Sequence, residues 1–201
     1  MRDDFHPCCR RTLVPVIGID EVGRGSLIGD VVTAAVVFTQ PIPEGLRDSK
    51  RLSEKKRIAF DVLIRQNAEV SVGKAAVWEI DQIGILKATL LAMRRAWDGI
   101  PSSLRRDALV LVDGDKAPDI PARMQLLPKG DDLCPTISAA SIIAKVHRDR
   151  EVIELHDEEP FYGWSKNKGY GTKDHIAAIT QHGPSNHHRR SFAPIRGMIR
   201  E

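Results

Sequence analysis

Asp20 and Glu21 are adjacent carboxylates at the end of an apolar, β-branched run, Leu13 to Ile19, and the turn Gly23-Arg24-Gly25 follows at once. The same arrangement recurs at Leu109-Val110-Leu111-Val112-Asp113, where a second such run ends in an acid and a glycine, Gly114. A fourth acid, Asp131, stands in Pro128-Lys129-Gly130-Asp131-Asp132, ahead of the small residues Ser138-Ala139-Ala140-Ser141. Each acid alone reads more readily as a turn or capping residue. Together they suggest a site, because carboxylates at the ends of buried strands are costly without a cation to face. Carboxylates gathered without histidine or thiolate form a hard-oxygen site suited to Mg2+ or Mn2+. The natural work of such a site is phosphoryl-ester cleavage, in which two ions about 3.5 to 4 Å apart activate the attacking water and stabilise the leaving oxygen.

Neighbouring residues of a strand face opposite sides, so Asp20 and Glu21 converge on one centre only if the strand bends or ends there. Gly23 and Gly25 permit the backbone angles of such a turn. They also let backbone N–H groups approach a ligand, while Arg24 offers paired donors to phosphate.

The elements that must carry these residues read as α/β. Strands are expected at Leu13–Ile19, Val31–Phe38, Ala68–Val77, Leu109–Asp113 and Met124–Leu127, a mixed five-stranded sheet flanked by helices. A helix starting at Ser53 runs to about Gln66 with Ile58, Val62 and Leu63 as its apolar positions. A second spans Glu79 to Trp97, a third extends from Ser138 to about His156, and a short one covers Thr172 to Gln181. Strands that end at one edge of a sheet bring their terminal residues together. Residues 1–12 read as a loose tail, 13–158 as one α/β domain, and 159–201 as a small helical extension packed beside it.

The net charge of +3 on 201 residues permits a nucleic-acid partner without demanding one. The basic residues cluster at Arg47–Arg57, Lys145–Arg150, Lys166–Lys173 and His187–Arg196, around the candidate acids. Cys8, Cys9 and Cys134 supply no paired framework and no second cysteine pair at zinc spacing, which suits a reducing compartment. No apolar run approaches the length of a membrane span, and the start lacks a signal-peptide core. A cytoplasmic, soluble protein is expected.

The segment Gly18-Ile19-Asp20-Glu21-Val22-Gly23-Arg24-Gly25, followed by Leu27, Gly29 and Val31-Val32, resembles the first motif of ribonuclease HII, the type 2 ribonuclease H family. The resemblance continues through Leu46–Leu52, Val112-Asp113-Gly114, Gly130-Asp131 and Ser138–Arg150. It ends with Lys168-Gly169-Tyr170-Gly171-Thr172-Lys173-Asp174-His175 and His188-Arg189-Arg190-Ser191-Phe192, so it runs from about Val14 to Phe192. It implies an RNase H-like fold with Asp20, Glu21, Asp113 and Asp131 as catalytic acids holding Mg2+ or Mn2+, two ions in all. Asp132 competes with Asp131, which keeps the family's spacing to Pro135; Asp149 lies several turns into the helix and supports its surroundings.

By the same resemblance, Gly23, Arg24 and Gly25 contact the 2′-hydroxyl that distinguishes RNA from DNA, and Tyr170 packs on the next sugar. From the residues alone, Tyr170 between two glycines either stacks on a sugar or base or anchors its loop. Ser49, Lys50, Lys145, Arg189 and Arg190 are candidate phosphate contacts. The implied activity is hydrolysis of the RNA strand of RNA/DNA hybrids and cleavage 5′ to single ribonucleotides in duplex DNA, leaving 3′-hydroxyl and 5′-phosphate ends. It would serve ribonucleotide removal and the clearing of RNA primers. Two alternatives are a ribonuclease HIII-like nuclease, which the dozen residues before the first strand and the presence of Arg24 argue against, and an inactive hybrid-binding module, which the four acids argue against. Ser26 and Asp30 replace prolines common in the family, and Asp30 adds negative charge near the metal site. A monomer is expected, without a tail for docking on a sliding clamp.

Overall fold

The computed structural model describes residues 14–46 and 49–199. The expected tail with Cys8 and Cys9, and Arg47 and Asp48 of the basic loop, lie outside the described residues. The chain order is β1 (Val16–Val22), β2 (Val31–Phe38), α1 (Glu54–Asn67), β3 (Ala68–Ala75), α2 (Val77–Ile83), α3 (Ile85–Asp98), α4 (Ser102–Arg105), β4 (Leu109–Asp113) and β5 (Arg123–Leu127). α5 (Gly130–Leu133), α6 (Pro135–Glu158), α7 (Trp164–Asn167), α8 (Lys173–His182) and α9 (Ile195–Met198) follow. The strands form one five-stranded sheet in the order β3-β2-β1-β4-β5. β1, β2 and β3 pair antiparallel, and β4 and β5 join β1 as parallel neighbours.

Alternation along β1 divides two cores. Ile17 and Ile19 pack with Ala35, Val37, Met93, Ala96 and Trp97 under α3. On the other face, Val32, Ala34 and Val36 pack under α6 with Ile142, Ile143 and Ile64 of α1. α6 approaches β1 closely because Gly18 lies beneath its first turn, where a Cβ would overlap the Thr136 carbonyl group. Gly73 does the same for α3 against Ala92 and Ala96.

Four local expectations are corrected. β1 continues to Val22 and does not end at Ile19. The single helix expected over Glu79–Trp97 divides at Gly84, whose φ of 79° ends α2 before α3 begins on the same apolar stripe. α1 begins after Ser53, whose hydroxyl accepts from Lys56 N–H, but Ile58, Val62 and Leu63 face outward. Its inward positions are Asp61, paired with Arg65 at 3.1 Å and Arg150 at 3.5 Å, and Ile64. The long helix starts at Pro135, because proline lacks only an N–H that the first turn leaves unpaired anyway.

A third core of Tyr162, Trp164, Ile179 and Ile195 gathers the C-terminal helices on Val152 of α6 and on Leu27 and Ile28 after β1. Among the described residues no helix is long and apolar enough to cross a membrane. Gly18→Ala should lower stability by about 3 kcal/mol or more, since the clash is with backbone and overpacking there cannot relax. Chemical denaturation checks this; an unchanged midpoint would mean that α6 is free to shift.

Candidate active site

Asp20, Glu21 and Asp113 each place a carboxylate oxygen within 4.8 Å of the others. β1 pairs with β4 only as far as Ile19 opposite Val112, whereas its pairing with β2 continues through Val22. Past Ile19, therefore, β1 has an uncovered flank on the β4 side. Asp20 lies opposite Ala34 and so on the α6 face, with Glu21 on the other. Their carboxylates meet at the open flank, where Asp113 ends β4. The convergence comes from the end of the neighbouring strand, not from a break in β1.

Each carboxylate is held. Asp20 accepts from Glu21 N–H at 2.7 Å and bonds the Ser141 hydroxyl of α6, which lies 2.9 Å from that of Ser49. Asp113 accepts from Gly130 N–H at 2.7 Å. Glu21 meets Arg24 Nη1 at 3.2 Å. Burial, then the charges of Glu21 and Asp113, hold the Asp20 carboxyl well above the usual carboxylate range. Burial also raises Glu21, with Arg24 opposing it. A corner of this kind, with oxygen donors only and like charges pressed together, fits a divalent cation.

Asp131 is not within that close trio. It is buried in α5, beside the Gly130 that caps Asp113, and faces Lys50 Nζ at 3.5 Å. Its neighbour Asp132 turns outward to Arg51 at 3.1 Å. Asp149 pairs with Lys145 at 2.6 Å and lies 4.0 Å from Arg57.

The Gly23-Arg24-Gly25 turn rests on two buried arginines. Gly23, with φ of 90°, sits on Arg148, whose Nε a Cβ would overlap. Arg148 donates to the carbonyls of Lys168 and Ile28 at 3.2 and 3.4 Å, and its guanidinium lies 5.9 Å from the centre of the Tyr170 ring. Arg189 donates to the carbonyls of Gly29 and Arg24 at 2.9 and 3.0 Å. Ser26 closes the turn through both polar groups of Ile28. Tyr170 lies across from Gly25, whose Cβ position is 3.8 Å from the ring. Behind it, His175 Nδ1–H donates to Tyr170 C=O at 3.0 Å, while His175 Nε2 accepts from Trp164 Nε1–H at 2.8 Å. His188 stands 3.3 Å away and accepts from Ser185 N–H at Nδ1. Burial, and then the neighbouring His175, push His188 down to about 4, so both rings are neutral at physiological pH.

The expected phosphate contacts part company. Lys50, Arg190 and Arg24 are exposed. Ser49 is buried against Ser141, and Lys145 is taken up by Asp149. Arg189 is fully buried, so it shapes the turn and does not meet a phosphate directly. Asp30 faces Lys74 at 3.8 Å and is not among the converging carboxylates. Residue-level reading passed over Arg148, Ser141, His175 and His188. Arg148 was signalled by its spacing, one and two turns from Ala144 and Ser141 on the buried face of α6.

The sequence profile of the family described as Ribonuclease HII matches residues 17–195. A ribonuclease HII of Methylibium petroleiphilum is 48% identical over 184 residues, covering 90% of this chain and 91% of that one. Among solved structures, the ribonuclease HII of Archaeoglobus fulgidus, determined in a complex with PCNA, superposes with a TM-score of 0.72 at 25% identity, covering 92% of this chain and 97% of that one. The Bst ribonuclease HIII structure in complex with Mn2+ has a TM-score of 0.76 at 20% identity, over 97% of this chain and 72% of that one, and shows the shared fold. With the profile spanning nearly the whole chain and the carboxylates gathered at the sheet edge, the chain belongs to the ribonuclease HII family and is a ribonuclease H-type hydrolase.

Proposed function

We propose that the protein hydrolyses the RNA strand of RNA/DNA hybrids and cuts 5′ to a single ribonucleotide in duplex DNA. The observation that carries this reading is the placement of the Gly23-Arg24-Gly25 turn between the carboxylate corner and Tyr170. Asp20, Glu21 and Asp113, with Asp131 alongside, would hold Mg2+ or Mn2+, two ions in the full site. Bound there, such ions supply charge stabilisation and an activated water. The turn's backbone groups and Arg24 receive the ribonucleotide's 2′-hydroxyl, and Tyr170 packs on the following sugar. Water adds to phosphorus as the P–O3′ bond on the 5′ side breaks. The preceding nucleotide keeps a 3′-hydroxyl and the ribonucleotide a 5′-phosphate. The physiological role that follows is removal of ribonucleotides from DNA.

The deciding experiment compares a DNA duplex bearing one ribonucleotide with a long RNA/DNA hybrid, in Mg2+, Mn2+ and chelator, with the ends mapped. A single metal-dependent cut 5′ to the lone ribonucleotide is expected; cleavage of the hybrid alone would point to a ribonuclease HIII-like activity. Tyr170→Ala should slow cleavage of the lone ribonucleotide more than that of the hybrid, and equal losses would remove Tyr170 from junction reading.

Asp113→Asn and Asp20→Asn should abolish cleavage while preserving the fold. The Asp20 carboxyl titrates above its unfolded value, so its ionisation costs stability; that cost is absent below the unfolded pKa of about 3.9 and grows as pH rises through the folded one. Without divalent metal, Asp20→Asn should therefore melt above the wild type at pH 8, with the gap closing towards pH 4. Millimolar Mn2+ should raise the wild-type melting temperature but not the variant's. A variant that melts lower at pH 8 would contradict this account of the corner.

A further inference from the structure

A cleft of about 520 Å³ opens between α2 and the segment Asn186–Arg190, lined by Trp78, Asp81, Gln82, Asn186 and Arg190 among others. Trp78 is 66% exposed, whereas Trp97 and Trp164 are 2% and 0% exposed. Arg190 is also exposed. Both carboxylate oxygens of Asp81 are engaged: Oδ1 accepts from Ser191 N–H and Oγ–H at 2.9 and 2.6 Å, and Oδ2 from Arg190 N–H at 3.0 Å. Its charge therefore pins the Arg190 backbone, and the exposed Arg190 and Trp78 side chains line the same cleft.

The cleft lies on the edge of the sheet that carries the carboxylates. β1 reaches that edge at Val22, opposite Val32; β2 begins there at Val31; and β3 ends there at Ala75, opposite Val31. α2 starts two residues later, two strand spacings from β1, or about 10 Å. The other wall of the cleft buttresses the Gly23-Arg24-Gly25 turn. Ile28 bridges His188, Gly29 N–H donates to the His187 carbonyl, and Arg189 reaches the Arg24 carbonyl. A duplex rising about 3.4 Å per base pair that engages this turn spans such a distance in a few steps.

We infer that the Trp78–Arg190 cleft is a subsite for the sugar–phosphate backbone of the duplex flanking the cut. In it, the Trp78 ring packs on a sugar, Arg190 meets a phosphate, and the Gln82 and Asn186 amides supply hydrogen bonds. This inference rests on the proposed function for where the substrate lies, but it reads backbone and so does not depend on the ribonucleotide.

The test uses the full chain in chelator, so that nothing is cut, and follows iodide quenching of tryptophan emission, to which exposed Trp78 is the accessible contributor. A duplex with one ribonucleotide and long flanks on both sides should shield Trp78, and shortening one of the two flanks should abolish the shielding. Trp78→Ala, which removes an exposed ring and should leave the circular dichroism spectrum unchanged, should bind the long duplex about five-fold more weakly and the shortened one like the wild type. Arg190→Ala should lower the salt slope of binding by about one. Unchanged quenching with the long duplex bound, or equal affinity losses on long and shortened duplexes, would overturn the subsite. Added Mg2+ separates the two readings. Correct cutting without shielding leaves the function standing and removes the subsite, while shielding without cutting does the reverse.

Discussion

Three carboxylates, that of Asp20 buried and those of Glu21 and Asp113 half-buried, crowd one corner because β1 outruns its parallel neighbour β4 beyond the Ile19–Val112 rung. Two consecutive side chains of a strand would ordinarily face opposite cores. Here the missing neighbour leaves a flank around which Glu21 and Asp20 both reach towards Asp113. The arrangement is electrostatically unfavourable by itself, since burial and mutual repulsion both resist ionisation. It persists because the surrounding structure holds each carboxylate: Ser141 and a backbone N–H on Asp20, Gly130 N–H on Asp113, Arg24 on Glu21. The repulsion left over is what makes the corner receptive to a cation.

A second strain lies under the glycine-arginine-glycine turn. Arg148 and Arg189 are both buried, and burial disfavours both of their charges. They are retained as props, since their donors meet the carbonyls of Arg24, Ile28, Gly29 and Lys168, drawn from segments far apart in the chain. Arg148 also lies near the Tyr170 ring, so the turn and the tyrosine opposite it share one support. His175 completes that support from behind by fixing the Tyr170 carbonyl, and Trp164 and His188 fix His175. Charged and polar groups at the centre of the molecule thus set the shape of its outer edge.

Much of this was legible in the chain. β4 with Asp113 at its end, β2, and the cap at Ser53 follow from local composition and are observed at the residues expected. Asp131 and Asp132 were told apart only by the family's spacing to Pro135; in the structure Asp131 is buried, while Asp132 turns to Arg51. Family motifs spread over the whole chain carried the assignment to ribonuclease HII.

Strand runs, caps and motif spacings are written in neighbouring residues, and they were enough for the five strands, for the acids at strand ends and for the family. How Asp20 and Glu21 converge depends on where a different strand stops, so it is settled by the fold. The fold alone separated Arg189 from Arg190, adjacent basic residues of which one is a buried prop and the other an exposed side chain in a cleft. It alone turned Ile58, Val62 and Leu63 outward while burying Asp61, because the face of α1 that meets the sheet is chosen by α6 and its partners. Spacing along α6 could signal Arg148, but the convergence of the acids and the choice of buried face on α1 belong to pairs of segments distant in the chain.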